Sequence, residues 1–379
     1  MSSDELFLPV IDIGPVVGCE VDERGHPVGG EAYAEVARRL DEACRGLGFF
    51  YIINHGVSDA LMRSLQDASR AFFRLPEAEK LKVAMEYGGR SWRGYFGVGG
   101  ELTSGVPDNK EGLYFGTELA ADSVEVREAL PMHGPNLWPE QWGVSGCLPM
   151  RQVVLSYIAA LSSVAQSLLG ALASALGLGA DYFAQRFTSQ PTTLFRIFNY
   201  PLVVQDKGAE EGKEVWGVGE HTDYGFLTLL LQDLDGRGGL EVRTRRGQWI
   251  QAPPVEGAFV VNLGDMLELW THGLYRATPH RVRYPPLNAA EGAVFGDRLS
   301  FPFFFDPNWK ASLQPIDALA EEGAKVQRHE QGVYQRWDDL DLQTMPRSLY
   351  GDFLWSKVSK CFPHLAIVAP SLPPPYIPN

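Results

Sequence analysis

Basic residues are scarce in this sequence relative to acidic ones. Its 379 residues include 33 Lys and Arg against 47 Asp and Glu, which gives a net charge of −14. A nucleic-acid-binding protein needs a basic face to neutralise phosphates, and docking on anionic lipid needs basic clusters. The sequence therefore predicts neither nucleic acid nor a membrane surface as a partner.

Cysteine is also scarce, and no two cysteines form a Cys-x-x-Cys pair. This spacing argues against a zinc knuckle or a thioredoxin-type redox site. Residues 1–15 lack the basic and apolar segments of a secretory signal. We therefore expect a cytoplasmic protein with reduced thiols. The four cysteines are Cys19, Cys44, Cys147 and Cys361.

Charge is absent from one long stretch, Gln152 to Ala180, which is long enough to span a bilayer. Its several serines, and the lack of a basic cluster at its end, favour a partly buried helix instead. The overall composition of 45% apolar and 21% charged residues is typical of globular proteins that bury a large core.

The first third of the chain predicts helices around one buried strand. Apolar residues recur at helical spacing over Glu31–Gly48, and the apolar run Phe49–Ile53 follows. Ser58 is a plausible N-cap for a second helix. Residues Gly88 to Gly116 are rich in glycine and aromatics without a clear period, so we expect a long loop of the kind that often forms a lid or binding loop.

From Thr192 to about Asp306 the pattern changes to short runs rich in β-branched and aromatic residues. Glycine, proline and aspartate separate these runs at near-regular spacing. Such a pattern predicts an all-β sandwich or jelly roll. Mixed helical patterning returns over Pro315–Lys360.

His221-Thr222-Asp223 is the only His-x-Asp or His-x-Glu tripeptide in the chain. On an extended segment, residues i and i+2 point to the same face, so an imidazole and a carboxylate could bind one ion. His280, which opens a strand-like segment, is the candidate third ligand, and His272 is its competitor. Two histidines and one carboxylate form the facial triad of non-haem Fe(II) oxygenases.

Arg298 and Ser300 lie two residues apart on the strand-like run that ends in Phe-Pro-Phe-Phe-Phe. A guanidinium beside a hydroxyl can hold a carboxylate through charge-assisted hydrogen bonds. The apolar neighbours predict burial, and a buried arginine needs an anion.

Taken together, the sequence resembles the isopenicillin N synthase-like branch of the Fe(II)/2-oxoglutarate-dependent oxygenases. Many motifs follow one another in the family's order, which makes the resemblance specific. They are Leu8–Asp12, Gly48–Val57, Phe72–Pro76, Arg93-Gly94-Tyr95, Asn199-Tyr200-Pro201, Gly219–Leu230, Val261–Met266, His280-Arg281-Val282 and Arg298-Leu299-Ser300.

The resemblance implies roles for particular residues. His221, Asp223 and His280 match the iron ligands and are the expected catalytic residues. Arg298 and Ser300 match the pair that binds the distal carboxylate of 2-oxoglutarate, and Tyr200 matches a tyrosine that helps to hold it. Many members carry Asn two positions before that tyrosine, where this chain has a phenylalanine. The segment before Arg298 also contains an apparent insertion.

The implied fold is mainly β with flanking helices, around a double-stranded β-helix (jelly roll) core. We expect residues 1–379 to form a single catalytic unit. Residues 1–120 would be the N-terminal region of the family, 190–306 the jelly-roll core, and 307–379 the C-terminal helices and tail.

The implied activity is a 2-oxoglutarate-dependent dioxygenase with Fe(II), 2-oxoglutarate and O2, ascorbate serving as an aid in vitro. It would oxidise, most simply hydroxylate, a small molecule and release succinate and CO2. The alternatives are an isopenicillin N synthase-type oxidase that closes a ring or desaturates without 2-oxoglutarate, and a non-catalytic ligand-binding jelly roll. We expect a monomer.

The substrate pocket is expected between the Gly88–Gly116 segment, the barrel mouth and the C-terminal helices. Candidate substrate residues are Arg93, Tyr95, Tyr114 and Phe303.

Overall fold

The computed structural model describes residues 7–103, 105–139, 149–201, 216–235, 238–283, 296–329 and 349–363. The apparent insertion ahead of Arg298 lies mostly at residues 284–295, outside these ranges. The C-terminal tail from residue 364 and the predicted thiol at Cys147 also lie outside the described residues.

The helices match the apolar periodicity of the sequence. The first begins at Gly30 and ends at Arg45, where glycines follow. In the described residues the helices are α1 (Gly30–Arg45), α2 (Asp59–Phe73), α3 (Glu77–Lys80), α4 (Val124–Arg127), α5 (Met150–Ala175), α6 (Tyr182–Arg186), α7 (Asp265–Trp270), α8 (Ala320–His329) and α9 (Tyr350–Cys361). Short 3-10 helices span Leu81–Val83, Met85–Ser91 and Asp317–Leu319.

The strands occupy the runs of β-branched and aromatic residues, because such side chains pack well on a pleated surface. They are β1 (Val10–Asp12), β2 (Phe49–Ile53), β3 (Gly94–Phe96), β4 (Leu102–Thr103), β5 (Val106–Pro107), β6 (Glu111–Gly116), β7 (Pro191–Tyr200), β8 (Trp216–His221), β9 (Leu227–Gln232), β10 (Leu240–Arg243), β11 (Trp249–Gln251), β12 (Phe259–Leu263), β13 (His280–Arg283) and β14 (Arg298–Asn308).

Two sheets build the core. The larger sheet has the order β1-β2-β12-β9-β14-β7-β6-β3, and the smaller has the order β11-β10-β13-β8. The strands from β7 to β14 pair antiparallel with their neighbours in both sheets. Residues of both sheets line the main cavity. This is the predicted jelly roll, and the cavity lies at its mouth.

The N-terminal strands extend the larger sheet at both ends. Strand β2 pairs with β12, and β6 pairs with β7. The expectation that Gly88–Gly116 forms a loop without strands is therefore wrong, because β3 and β6 belong to the same sheet as the core. Gly116 shows why the glycine content wrongly indicated a loop. A Cβ at this position would overlap the guanidinium of Arg93. The glycine serves close packing, not a loop.

The uncharged stretch forms α5, and it packs against α1, α2, β7, β9 and β14. Its length and apolar composition would suffice to cross a membrane, yet half of its most apolar 18 residues are buried inside the protein. Leu161, Leu168 and Leu172 are completely buried. The helix therefore covers one face of the larger sheet as part of the core.

Candidate active site

Three sequence-predicted ligands come together at the edge between β8 and β13. His221 ends β8 and His280 begins β13, and the two histidines face each other as register partners of neighbouring antiparallel strands. Asp223 follows two residues after β8. Its Oδ1 lies 3.9 Å from His221 Nε2 and 3.8 Å from His280 Nε2. His280 is 59 positions after His221 in the sequence. The strand register brings it beside His221 and Asp223 to complete the group of three ligands.

Main-chain carbonyls fix the tautomer of both imidazoles. His221 Nδ1 lies 2.8 Å from the oxygen of Gly219, and His280 Nδ1 lies 3.1 Å from the oxygen of Thr278. A carbonyl can only accept, so each Nδ1 carries the proton and the lone pair is on each Nε2. Burial lowers the pKa of His221 and outweighs the opposing effect of Asp223. The neutral imidazole that a metal requires is thus favoured.

The carboxylate of Asp223 is held by its far oxygen. Oδ2 accepts hydrogen bonds from Thr228 Oγ1 at 2.5 Å and from Asn262 Nδ2 at 2.6 Å. Thr228 and Asn262 are cross-strand partners on β9 and β12. Burial alone would raise the pKa of Asp223, but the two histidines and these hydrogen bonds lower it overall. Oδ1 is left to face the histidines as an ionised ligand.

The donor set fits Fe(II). The candidate ligand atoms of His221, Asp223 and His280 all lie within 4.8 Å of one another. Two imidazole nitrogens and one carboxylate oxygen, gathered on one side, leave open positions for a cosubstrate and O2. The competing ligand, His272, lies in a turn, where its Nε2 is 3.1 Å from the oxygen of Ile316. The structure does not bring it into this group.

Arg298 is a buried cation without a hydrogen-bond partner among the described residues. It is completely buried, and none of its three guanidinium nitrogens makes a hydrogen bond there. It lies opposite Tyr200 in the β7–β14 pair, with Cζ 4.8 Å from the centre of the Tyr200 ring. Ser300, two residues on, lines the cavity. An unpaired buried guanidinium is costly unless an anion joins it, so this geometry suits a carboxylate ligand.

Tyr200 also faces this part of the cavity. Burial raises the pKa of its phenol, although Lys110 and Arg298 oppose the rise. The neutral phenol can therefore donate a hydrogen bond. Phe198, at the position where many relatives in the resembled family carry Asn, lies on the same face of β7 and also lines the cavity.

Asp306 also lines the cavity and fixes the turn after Asp223. Its Oδ1 accepts a hydrogen bond from the Phe226 amide at 3.1 Å, and its Oδ2 accepts one from Tyr350 at 2.7 Å. A Cβ at Gly225 would overlap the Asp306 carboxylate. The glycine in His-Thr-Asp-Tyr-Gly is therefore required by this close approach. Burial raises the pKa of Asp306 to about 7.

The cavity has an empty volume of about 1100 Å³, which includes the open space at its mouth. It is lined by the three candidate ligands, by Tyr200 and Ser300, and by residues of the 101–110 segment and α9. The segment within Gly88–Gly116 and the C-terminal helix α9 thus contribute to the pocket wall, as the sequence predicts. A space of this size accepts a small molecule beside a cosubstrate.

None of the four candidate substrate residues is among the residues that line the cavity. The Arg93 guanidinium donates to the oxygen of Met132 at 2.8 Å, and Tyr95 donates to Glu111 at 2.6 Å. Phe303 is completely buried. Its neighbour Phe304 faces the cavity instead, because successive strand residues point to opposite faces.

Tyr114 lies just behind the cavity wall, and its phenol donates a hydrogen bond to Glu101. Glu101, Lys110 and Arg196 are further charged residues of that wall, and sequence reasoning missed all three. The period of β7 could have indicated Arg196, because it shares a face with residues 198 and 200.

Comparisons with known proteins agree with this geometry. Residues 8–141 match the family described as the N-terminal region of a non-haem dioxygenase in morphine synthesis. Residues 191–307 match the 2OG-Fe(II) oxygenase superfamily. A probable iron/ascorbate oxidoreductase of Dictyostelium discoideum is 41% identical over 94% of this chain and 95% of its own. The chain belongs to the 2OG-Fe(II) oxygenase superfamily.

Two further proteins are similar over most of their length. A homoarginine-6-hydroxylase of Oryza sativa subsp. japonica is 37% identical, over 88% of this chain and 96% of that protein. A full-length Neurospora crassa protein, whose crystal structure is a complex with alpha-KG and thymine, is 28% identical with a TM-score of 0.67. The match covers 84% of this chain and 91% of that one.

These matches establish the protein as an oxidoreductase of the 2-oxoglutarate-dependent dioxygenase class. The resemblance to the isopenicillin N synthase-like branch and the jelly-roll fold are both confirmed. The superfamily uses Fe(II), 2-oxoglutarate and O2 on small-molecule substrates.

Proposed function

We propose that this oxygenase holds Fe(II) through His221, Asp223 and His280, and 2-oxoglutarate through Arg298, Ser300 and Tyr200. The observation that carries the proposal is the buried Arg298, whose guanidinium has no hydrogen-bond partner in the described part of the chain. It lies beside a residue that lines the same cavity as the three ligands. An anionic cosubstrate would satisfy it.

When bound, Fe(II) supplies the activation of O2 that couples decarboxylation of 2-oxoglutarate to oxidation of the substrate. The protein's own residues bind and orient. Carbonyl oxygens hold both imidazoles with Nε2 turned inward. Thr228 and Asn262 keep the Asp223 carboxylate in place. The buried wall excludes water from the cosubstrate's far carboxylate, which strengthens its pairing with Arg298.

We further propose that the reaction outcome is hydroxylation of a small molecule. The similarity to the rice homoarginine-6-hydroxylase supports hydroxylation and an amino-acid-sized substrate. The alternative of an oxidase that does not use 2-oxoglutarate would employ Arg298 for a substrate carboxylate. Succinate release coupled to substrate oxidation separates the two.

We also propose that the whole chain acts as one cytoplasmic catalytic unit. Residues 1–379 would act as one catalytic unit, since N-terminal strands continue the sheet that carries the site. The protein would work as a cytoplasmic monomer without nucleic acid or membrane partners. Its net charge of −14 and the free thiols of Cys19, Cys44 and Cys361 are consistent with this. Light scattering during size-exclusion chromatography checks the oligomeric state.

The experiment that tests the site is anaerobic titration with Fe(II) and 2-oxoglutarate, monitored by absorption. We expect a charge-transfer band in the wild type and none in Asp223→Ala. The matched control is Asp122→Ala, which removes an exposed aspartate outside the cavity lining. A band of full intensity in Asp223→Ala would show that the ligands are misassigned, and no band in the wild type would refute the proposed function.

A further inference from the structure

Four charged side chains form a buried cluster that the proposed function does not use. Lys110 Nζ lies 2.8 Å from Glu101 Oε2 and 2.5 Å from Asp108 Oδ2, and Arg196 Nη1 lies 3.4 Å from Glu101 Oε1. The side chains of Lys110, Glu101 and Asp108 are 5% exposed or less. Glu101, Lys110 and Arg196 line the same cavity as the metal ligands.

Arg196 lies in the cavity wall between aromatic rings. Its Cζ lies 4.3 Å from the centre of the Tyr114 ring and 4.9 Å from that of Phe304. Its side chain stays 15% exposed, and its Nε has no hydrogen-bond partner in the described ranges. The long contact to Glu101 leaves donor capacity on the Nη atoms, and a guanidinium holds a carboxylate through charge-assisted hydrogen bonds.

Within the cluster, Arg196 lies apart from the arginine of the proposed 2-oxoglutarate site. Arg298 pairs across the sheet with Tyr200, which lies four residues along β7 from Arg196. At about 3.3 Å per residue, the two positions are roughly 13 Å apart along the strand. A single cosubstrate carboxylate cannot reach both arginines, so Arg196 is left for the substrate.

The charges of the cluster balance. Lys110 and Arg196 offset Glu101 and Asp108, and burial, which would lower the pKa of Lys110, is outweighed by the two carboxylates that raise it. A lone carboxylate entering this wall would leave an excess negative charge in a low-dielectric site, which is costly. A ligand that carries both signs on adjacent atoms would leave the balance unchanged.

We propose that this cluster recognises the α-amino acid group of the substrate, with its carboxylate on Arg196 and its ammonium on Glu101. The proposal rests on the proposed function and names its substrate class. Tyr114, which donates to Glu101 and lies against Arg196, is then a positioning residue. Phe304 provides a second aromatic contact to the same guanidinium.

The test is a binding series on the full-length protein loaded with Zn(II) and 2-oxoglutarate, measured by calorimetry. The probes are L-homoarginine, its carboxamide, 6-guanidinohexanoic acid, which lacks the amine, and thymine. We expect L-homoarginine to bind at least tenfold more tightly than each of the other three. Equal affinity for the acid and its carboxamide, or tighter binding of thymine, would overturn the proposal, as would no binding of L-homoarginine.

Two variants test which residue binds the carboxylate of the substrate and which binds its ammonium group. Arg196→Met should abolish the preference for the acid over its carboxamide, and Glu101→Gln should abolish the preference for the amine over 6-guanidinohexanoic acid. Arg186→Met is the matched control, because that arginine also stacks on a tyrosine, Tyr182, at 4.3 Å, but outside the cavity lining. It should keep both preferences. Preferences that persist in Arg196→Met and Glu101→Gln would refute the assignment.

Failure of this inference can be told apart from failure of the proposed function. The anaerobic charge-transfer band of the wild type reports Fe(II) and 2-oxoglutarate alone. A normal band with no preference for the amino acid group refutes only the inference. If Arg196→Met does not fold, Arg196→Lys, which keeps the charge but loses the planar fork, should reduce the acid-over-carboxamide preference. The wild-type series decides the substrate class without any variant.

Discussion

Replacing Arg298 by methionine should weaken 2-oxoglutarate binding and at the same time stabilise the protein without ligand. Methionine has a similar length and no charge, so it fills the buried site with apolar atoms. In the ligand-free protein the guanidinium is completely buried, and its nitrogens lack hydrogen bonds to the described residues. Its desolvation is therefore uncompensated until an anion binds.

The magnitude of both effects follows from burial. Removing one partner of a buried charge pair costs about 3–5 kcal/mol, and 1.36 kcal/mol corresponds to a tenfold change. The Kd for 2-oxoglutarate should thus rise by roughly two to nearly four orders of magnitude. Substituting buried ionic groups with apolar ones of similar volume often stabilises by about 1–4 kcal/mol. The melting temperature of the ligand-free variant should rise by roughly 1–5 °C.

The assay is calorimetric titration of 2-oxoglutarate into the Zn(II)-loaded protein, with scanning calorimetry of the ligand-free protein. At about 100 times its Kd, the ligand should stabilise the wild type by about 2.7 kcal/mol, and Arg298→Met should lose this shift. Arg186→Met serves as a surface control that leaves both quantities unchanged. A Kd raised by less than tenfold, or a ligand-free Arg298→Met less stable than the wild type, would refute the reasoning.

Three further predictions concern the support of the metal ligands. Gly225→Ala should destabilise the protein by about 1–3 kcal/mol in urea unfolding, because its Cβ would overlap Asp306; Gly238→Ala, whose Cβ would meet only an ordinary contact, should stay within about 0.5 kcal/mol. Because the pKa of Asp306 is about 7 in the folded protein against an ordinary 3.8, the folded state binds more protons between these values. The metal-free protein should therefore lose up to about 4 kcal/mol of stability as the pH rises through that window, and Asp306→Asn should remove this loss in pH-dependent unfolding. Asn262→Ala should weaken Fe(II) binding by about 10- to 100-fold in competition with a chelator, since Asp223 loses one of its two hydrogen bonds; unchanged affinity would mean that Asn262 does not orient the ligand.

The metal ligands could be predicted because their chemistry is local in the sequence. Alternation along a strand places His221 and Asp223 on one side from their spacing alone. The third ligand is different, since no spacing links His280 to them. Only the antiparallel register of β8 and β13 makes the histidines neighbours, and a register is set by the packing of whole strands. The family resemblance supplied what the local pattern could not.

The substrate-facing residues could not be found in the same way. The segment from Gly88 to Gly116 reads as a loop because glycine normally marks turns, yet at Gly116 it makes room for Arg93. Arg93 and Tyr95 then look like pocket residues, although they donate hydrogen bonds to Met132 and Glu111. Which face of β3 or β6 meets the cavity depends on the strand that each pairs with in the sheet. That pairing cannot be read from the sequence.

The pairing of β7 with β14 sets both proposed anion sites at once. Arg196 and Tyr200 share one face of β7, and Arg298 lies opposite Tyr200 on β14. A slip of one residue in β7 would turn Arg196 and Tyr200 away from the cavity together, because side chains alternate with a period of two. The register of β7 on β14 therefore sets the distance between the proposed sites for the cosubstrate and substrate carboxylates.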